Sequence, residues 1–122
     1  MTSLSSYQDL IVWQKSLDLA EMVYRATEGF PRSELFGLAS QMRRAAVSIP
    51  SNIAEGQSRN STGEFVQFLG IARGSLAELE TQRQLGARLG YLNPNQAETM
   101  GAMCTEISKM LTALRRSLRS SS

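Results

Sequence analysis

Arg115, Arg116 and Arg119 fall within five residues near the C-terminal end of the chain. Guanidinium is planar, permanently charged and forked, so it holds phosphate or carboxylate through paired hydrogen bonds better than an ammonium group does. Eleven of the thirteen basic residues are arginine. Beyond Glu106 every charged side chain is basic, whereas the first 24 residues set Lys15 against Asp9, Asp18 and Glu21, so the chain is electrically polarised although its net charge is only +2. Cations in a last helical turn complement the helix dipole without any ligand, but three arginines exceed that need. Symmetric copies would gather these ends into a positive patch that attracts the backbone of RNA or another nucleic acid. Arg43, Arg59 and Arg73 are the next basic candidates. Arg59 lies in the polar loop GQSRNST, before a helix start whose free N–H groups also suit an anion; a salt bridge to Glu55 or Glu64 competes with that use. The nucleic-acid-binding set is Arg43, Arg59, Arg115, Arg116 and Arg119.

Other chemistry is scarce. The chain has no histidine, which removes Ser-His and Cys-His nucleophile pairs, His-ligated metals and a near-neutral acid–base group. Cys104 alone makes neither a zinc site nor an internal disulfide, and GQSRNSTG lacks the Gly-Lys-Ser/Thr ending of a phosphate loop. Glu78 and Glu80 flank Leu79 and are suited to pairing with arginines of the second helix, with no catalytic group beside them in sequence. No catalytic residue, metal or cofactor is expected. Trp13, Tyr7, Tyr24 and Tyr91 are aromatic enough to stack on bases, but Trp13 lies on an apolar line and is expected to pack in the core. No RNA-recognition or helix-turn-helix signature is present.

The stretch MRRAAVSIPSNIAEGQSRNS carries a second candidate. Arg44, Ser48, Ser51 and Glu55 step by four, three and four, forming one polar line away from apolar Met42, Ala46, Ile49 and Ile53. Exposed helix positions favour Glu, Lys and Gln; small hydroxyls between two opposite charges make a flat strip fit to dock another helix. A second copy of the chain is one such partner, and a different protein is another. Arg44, Ser48, Ser51, Asn52 and Glu55 are the candidate oligomer-interface residues.

The elements that must carry these residues are helices. With 42% hydrophobic, 20% charged and 7% aromatic residues in 122 positions, the chain suits one soluble domain with an aliphatic core. The first helix is expected from about Gln8 to Thr27, burying Leu10, Trp13, Leu17, Ala20 and Tyr24. The second starts near Ser33 as cap and runs through Leu35, Leu38, Met42, Ala46, Ile49 and Ile53 to Gly56, kinked at Pro50, because the apolar period continues in phase past the proline. Ser61 with Glu64 forms a capping box for the third, which reads Phe65, Leu69, Ala72, Leu76 and Leu79, meets Arg83, and resumes at Leu85 and Leu89 before Gly90 closes it. Asn93, Pro94 and Gln96 open the fourth, whose stripe is Ala97, Met100, Cys104, Ile107, Leu111, Leu114 and Leu118, ending in an unstructured SSS. Short loops make neighbours antiparallel, so the expected fold is all-α: an up-down-up-down four-helix bundle over residues 7–119, with flexible ends at 1–6 and 120–122. No signal peptide or bilayer-length apolar run is seen, and the lone cysteine fits a reducing cytoplasm without membrane attachment.

The segments DLIVWQKSLDLAEMVYRAT, FPRSELFGLASQMRRAAVSIPSNIAEG, SRNSTGEFVQFLGIARGSLAELETQ and LGYL resemble the bacterial four-helix-bundle proteins encoded by intervening sequences in large-subunit ribosomal RNA genes. The resemblance spans about Tyr7 to Leu92, and its SIPSNIAEG segment is quite specific; the chain is also similar to the accessory variability protein of diversity-generating retroelements. It implies a left-handed antiparallel bundle assembling as a ring-shaped homopentamer, and a basic surface that binds nucleic acid. Its matching positions, Trp13, Pro31, Glu34, Gln41, Arg43, Arg44, Pro50, Asn52, Glu55, Gly56, Arg59 and Glu78, include none that it identifies as catalytic. The resulting expectation is a cytoplasmic, non-enzymatic homo-oligomer, pentameric by resemblance, that binds RNA or another nucleic acid; the alternative is a scaffold that docks a protein through the face of its second helix.

Overall fold

The computed structural model describes residues 6–121. Four helices carry the chain: α1 (Ile11–Thr27), α2 (Leu38–Gln57), α3 (Thr62–Arg88) and α4 (Pro94–Ser121). Among the described residues there is no strand. Each helix packs on the next, and α1 packs on α4 to close the bundle. The contacts fix the antiparallel sense. Ser48 meets Ser75 while Gly56 faces Phe65 and Phe68, so α3 runs back along α2. Arg83 reaches the carbonyl of Ala97 while Arg115 reaches that of Val66, so α4 runs back along α3.

The helix ends follow local chemistry. Ser61 Oγ accepts from Glu64 N at 3.1 Å, and its hydroxyl donates to the Glu64 carboxylate instead of leaving that carboxylate for the cap backbone. Asn93 and Gln96 form the full reciprocal box, Gln96 N to Asn93 Oδ1 at 2.7 Å and Asn93 N to Gln96 Oε1 at 3.0 Å. Gly90 takes φ +78°, a left-handed conformation that lets Tyr91 N and Leu92 N turn back to the Gly86 carbonyl.

Several expectations change. Helix α1 begins at Ile11, after a one-turn 3-10 helix over Tyr7–Asp9. Its inward face is Val12, Ser16, Leu19, Ala20, Val23, Ala26 and Thr27, whereas Leu17 and Tyr24 are exposed. The hydroxyls of Ser16 and Thr27 donate to the carbonyls of Val12 and Val23 in their own helix, which makes these polar residues buriable. Helix α2 starts at Leu38, not near Ser33, and Leu35 is exposed. Gly37 at the cap has no side chain to offer, so Glu34, in the preceding 3-10 turn, accepts from Leu38 N at 2.9 Å. A Cβ on Gly37 would lie 2.5 Å from that Glu34 oxygen. In α3 the inward line continues through Gln82 and Gly86, and Leu85 and Leu89 face outward. The serine tail is not unstructured throughout: after Gly101 no glycine or proline interrupts α4, which runs to Ser121. Ser6 likewise caps the first 3-10 turn. The remainder of the expected flexible ends, residues 1–5 and 122, lies outside the described residues.

Leu19, Met42, Ile49, Ile53, Leu69, Leu79, Met100, Ile107 and Leu111 form the fully buried centre. Pro50 is buried inside α2 without ending it. Trp13 is half-buried against this core, with its ring 5.2 Å from that of Tyr7.

Candidate nucleic-acid interface

The last three turns of α4 lie against the first half of α3. There Arg73, Thr112, Arg115, Arg116, Arg119 and Ser120 line a groove of about 390 Å³, with no carboxylate among the described residues of its walls. Arg115 is half-buried at its base: Nε donates to the Val66 carbonyl at 3.4 Å, and the guanidinium lies over Gly70, where a Cβ would come within 3.2 Å of Nη2. Burial, then the charges of Arg119 and Arg73, lower the Arg115 pKa from its ordinary value. Arg73 and Arg116 are exposed, and neither has an ion-pair partner among the described residues.

The remaining basic candidates are held elsewhere. Arg43 fastens α2 to the last turn of α1: Nε donates to Thr27 Oγ1 at 2.8 Å, Nη2 to the Tyr24 carbonyl at 3.3 Å, and the guanidinium lies 4.7 Å from the centre of the Tyr24 ring. Arg59 pairs with Glu55 at 2.7 Å and with Glu64 at 3.8 Å, and stacks 4.9 Å above Phe68. Both carboxylates named as its competitors are engaged together, which cancels its charge locally. Thus Arg115, Arg116 and Arg119 share a site, and Arg43 and Arg59 do not join it. Arg73, singled out in the sequence but left outside the binding set, does. Its place follows from the α3–α4 register, which brings it alongside Arg115, Arg116 and Arg119.

On α2, Arg44, Ser51 and Glu55 are exposed, while Ser48 and Asn52 are half-buried. The Ser48 and Ser75 hydroxyls are 2.8 Å apart, and Asn52 Nδ2 donates to the Ser48 carbonyl and hydroxyl at 2.8 and 2.9 Å. The middle of the polar line is therefore engaged within the chain, in the seam between α2 and α3. Glu78 lines a cavity there with Arg44 but forms no ion pair with it among the described residues. Sequence reasoning missed Val47, which is exposed one turn from both Arg44 and Ser51. A groove between α1 and α4, about 430 Å³, is lined by Met22 and Met100 together with Asp18, Glu21 and Arg25. Its Glu21 and Arg25 pair with each other at 2.7 Å. Among the described residues no helix is long and apolar enough to cross a membrane.

With this geometry in hand, the chain matches the family model described as 23S rRNA-intervening sequence protein over residues 8–113. The chain belongs to that family. A solved structure with the same fold is a protein of unknown function from the S23 ribosomal protein family of Bacteroides thetaiotaomicron VPI-5482. It is 29% identical, the alignment covers 86% of this chain and 98% of that one, and the TM-score is 0.78. No curated protein matches. The match to the 23S rRNA-intervening sequence protein family takes in most of α4, well past Leu92. It stops before Arg115, so three of the four groove arginines lie outside it.

Proposed function

We propose that this chain is a non-enzymatic, cytoplasmic homo-oligomer, a pentamer, that binds RNA through a basic surface at the C-terminal end of α4. The observation that carries this reading is the carboxylate-free groove in which Arg73 joins Arg115, Arg116 and Arg119. Four guanidinium groups within one concavity repel one another, and a polyanion relieves that repulsion while its counterions are released. The family's description names 23S rRNA, which makes RNA the first nucleic acid to try. The lone buried cysteine suits a reducing compartment, and the absence of histidine removes the commonest acid–base catalyst.

Gel shift against salt tests the reading. Affinity for RNA should fall steeply as salt rises, and combined replacement of Arg115, Arg116 and Arg119 by Gln should weaken binding about tenfold or more at low salt. Light scattering should return a mass about five times the 13.4 kDa of one chain. The second reading, a scaffold that docks a protein, is favoured by exposed Val47 between Arg44 and Ser51, an apolar contact on an otherwise flat polar face. An absence of RNA binding at low salt would hand the case to it.

A further inference from the structure

The groove between α3 and α4 has both walls in the same subunit, so it exists before any assembly. Its base is set in advance. In α3 the Val66 carbonyl faces the N–H of Gly70 in the helical pattern, and because Gly70 carries no side chain the same oxygen stays open to Arg115 from outside. The long Arg115 side chain is thereby fixed when the chain folds, and less of its freedom is left to lose on binding. Arg73 on one wall and Arg116 on the other are exposed and without ion pairs among the described residues. Thr112 adds a hydroxyl. From Thr112 to Ser120 the α4 wall extends about 12 Å at 1.5 Å per residue, room for successive phosphates of one strand. Among the described residues, no aromatic side chain lines the groove, and neither does any carboxylate or amide side chain. Sequence-tolerant stacking platforms are built chiefly from the first, and reading of base edges commonly uses the second alongside arginine.

We propose that this groove, within each single subunit, is a phosphodiester site that grips the RNA backbone through Arg73 and Arg116 without reading its bases. The proposal rests on the RNA-binding reading above and locates it: the recognition unit is one α3–α4 pair, and assembly only repeats it.

The test is fluorescence anisotropy of full-length protein with labelled single-stranded oligouridine and oligoadenosine of equal length, across a salt series. Wild type should bind the two within about twofold. The double variant R73Q/R116Q should bind both at least tenfold more weakly at low salt, with the slope of log affinity against log salt reduced by about 1.4, since each lost phosphate contact removes about 0.7. R88Q, on the exposed last turn of α3 far from the groove, removes a charge without removing a contact and should keep the wild-type slope. Circular dichroism melting should leave the double variant unchanged, both side chains being exposed. In the unmutated protein, the arginine side-chain NMR signals of Arg73 and Arg116 should move on RNA addition while that of Arg88 stays. Wild-type affinity and slope in R73Q/R116Q, or a tenfold preference for one base, would overturn the groove and leave the RNA-binding reading standing. No binding of wild type to either oligonucleotide at low salt would overturn both.

Discussion

Burial raises the Cys104 thiol to about 12 from an ordinary value near 9, with the nearby Glu80 charge adding to the rise and Arg83 opposing it. The folded chain therefore holds that proton more tightly than the unfolded chain. The stability linked to this group is full below about pH 9 and is lost as pH rises from 9 towards 12. Urea unfolding between pH 8 and 10.5 should show the wild type losing more stability than Cys104→Ala, in which other titrations remain. Iodoacetamide at pH 8 should label the folded protein far more slowly than the urea-unfolded protein. At Arg43 the neighbours across the helix interface, more than the residue type, set what the guanidinium holds. Its bonds to Thr27 and Tyr24 lie between helices, and nothing near position 43 in sequence announces them. Arg43→Gln should cost about 1–3 kcal/mol in chemical denaturation, since hydrogen bonds to a charged group are being removed, and should leave RNA affinity close to that of wild type in anisotropy.

The helices differ in how openly their sequence declares them. In α4 the caps are local and the stripe from Ala97 to Leu111 is buried as its period indicates. Replacing the cap, Asn93→Ala, should lower stability by about 1 kcal/mol, readable as a lower melting temperature. In α1 two lines compete: Trp13, Leu17 and Tyr24 look apolar, while the true inward line contains Ser16 and Thr27, whose hydroxyls hide in bonds to their own helix. Polarity by residue type cannot see that satisfaction. Gly56 is a different case, a close approach between α2 and α3. A Cβ there would sit 2.6 Å from Phe68 Cβ and 3.1 Å from Phe65 Cδ1. Gly56→Ala must push the helices apart, and overpacking of this kind costs about 1–3 kcal/mol, which urea titration would register as a lower midpoint. At the far end of the bundle Tyr91 donates to Glu34 at 3.2 Å, and its ring lies 5.3 Å from that of Phe30, so the α1–α2 connection is tied to the α3–α4 turn.

For the molecule as a whole, Ser48 and Ser51 separate two questions that the polar line of α2 had merged. Ser48 sits in the α2–α3 seam, bonded to Ser75 and Asn52, and Ser51 is exposed. Ser48→Glu should lower the melting temperature of the subunit itself, because it forces a charge into a half-buried contact. Ser51→Glu should leave melting unchanged and shift the light-scattering mass downward if copies meet on this face. An unchanged mass would move the contact off α2. The basic groove belongs to the same scale, since it exists only where α3 and α4 are brought alongside.

What the chain determined by itself is whatever depends on a few neighbouring residues: four helices, the caps at Ser61 and Asn93, the helix stop at Gly90, and the inward stripes of α4 and of α2 from Leu38 onward. Those features rest on backbone conformation and on a 3.6-residue period, both written locally. Only the tertiary structure decided that α1 turns Leu17 and Tyr24 outward, that Glu34 caps α2, that Arg43 and Arg59 are occupied by partners, and that Arg73 faces the arginines of α4. Each of these depends on which residues of different elements end up side by side, and that follows from register and packing between helices, which no short stretch of sequence contains.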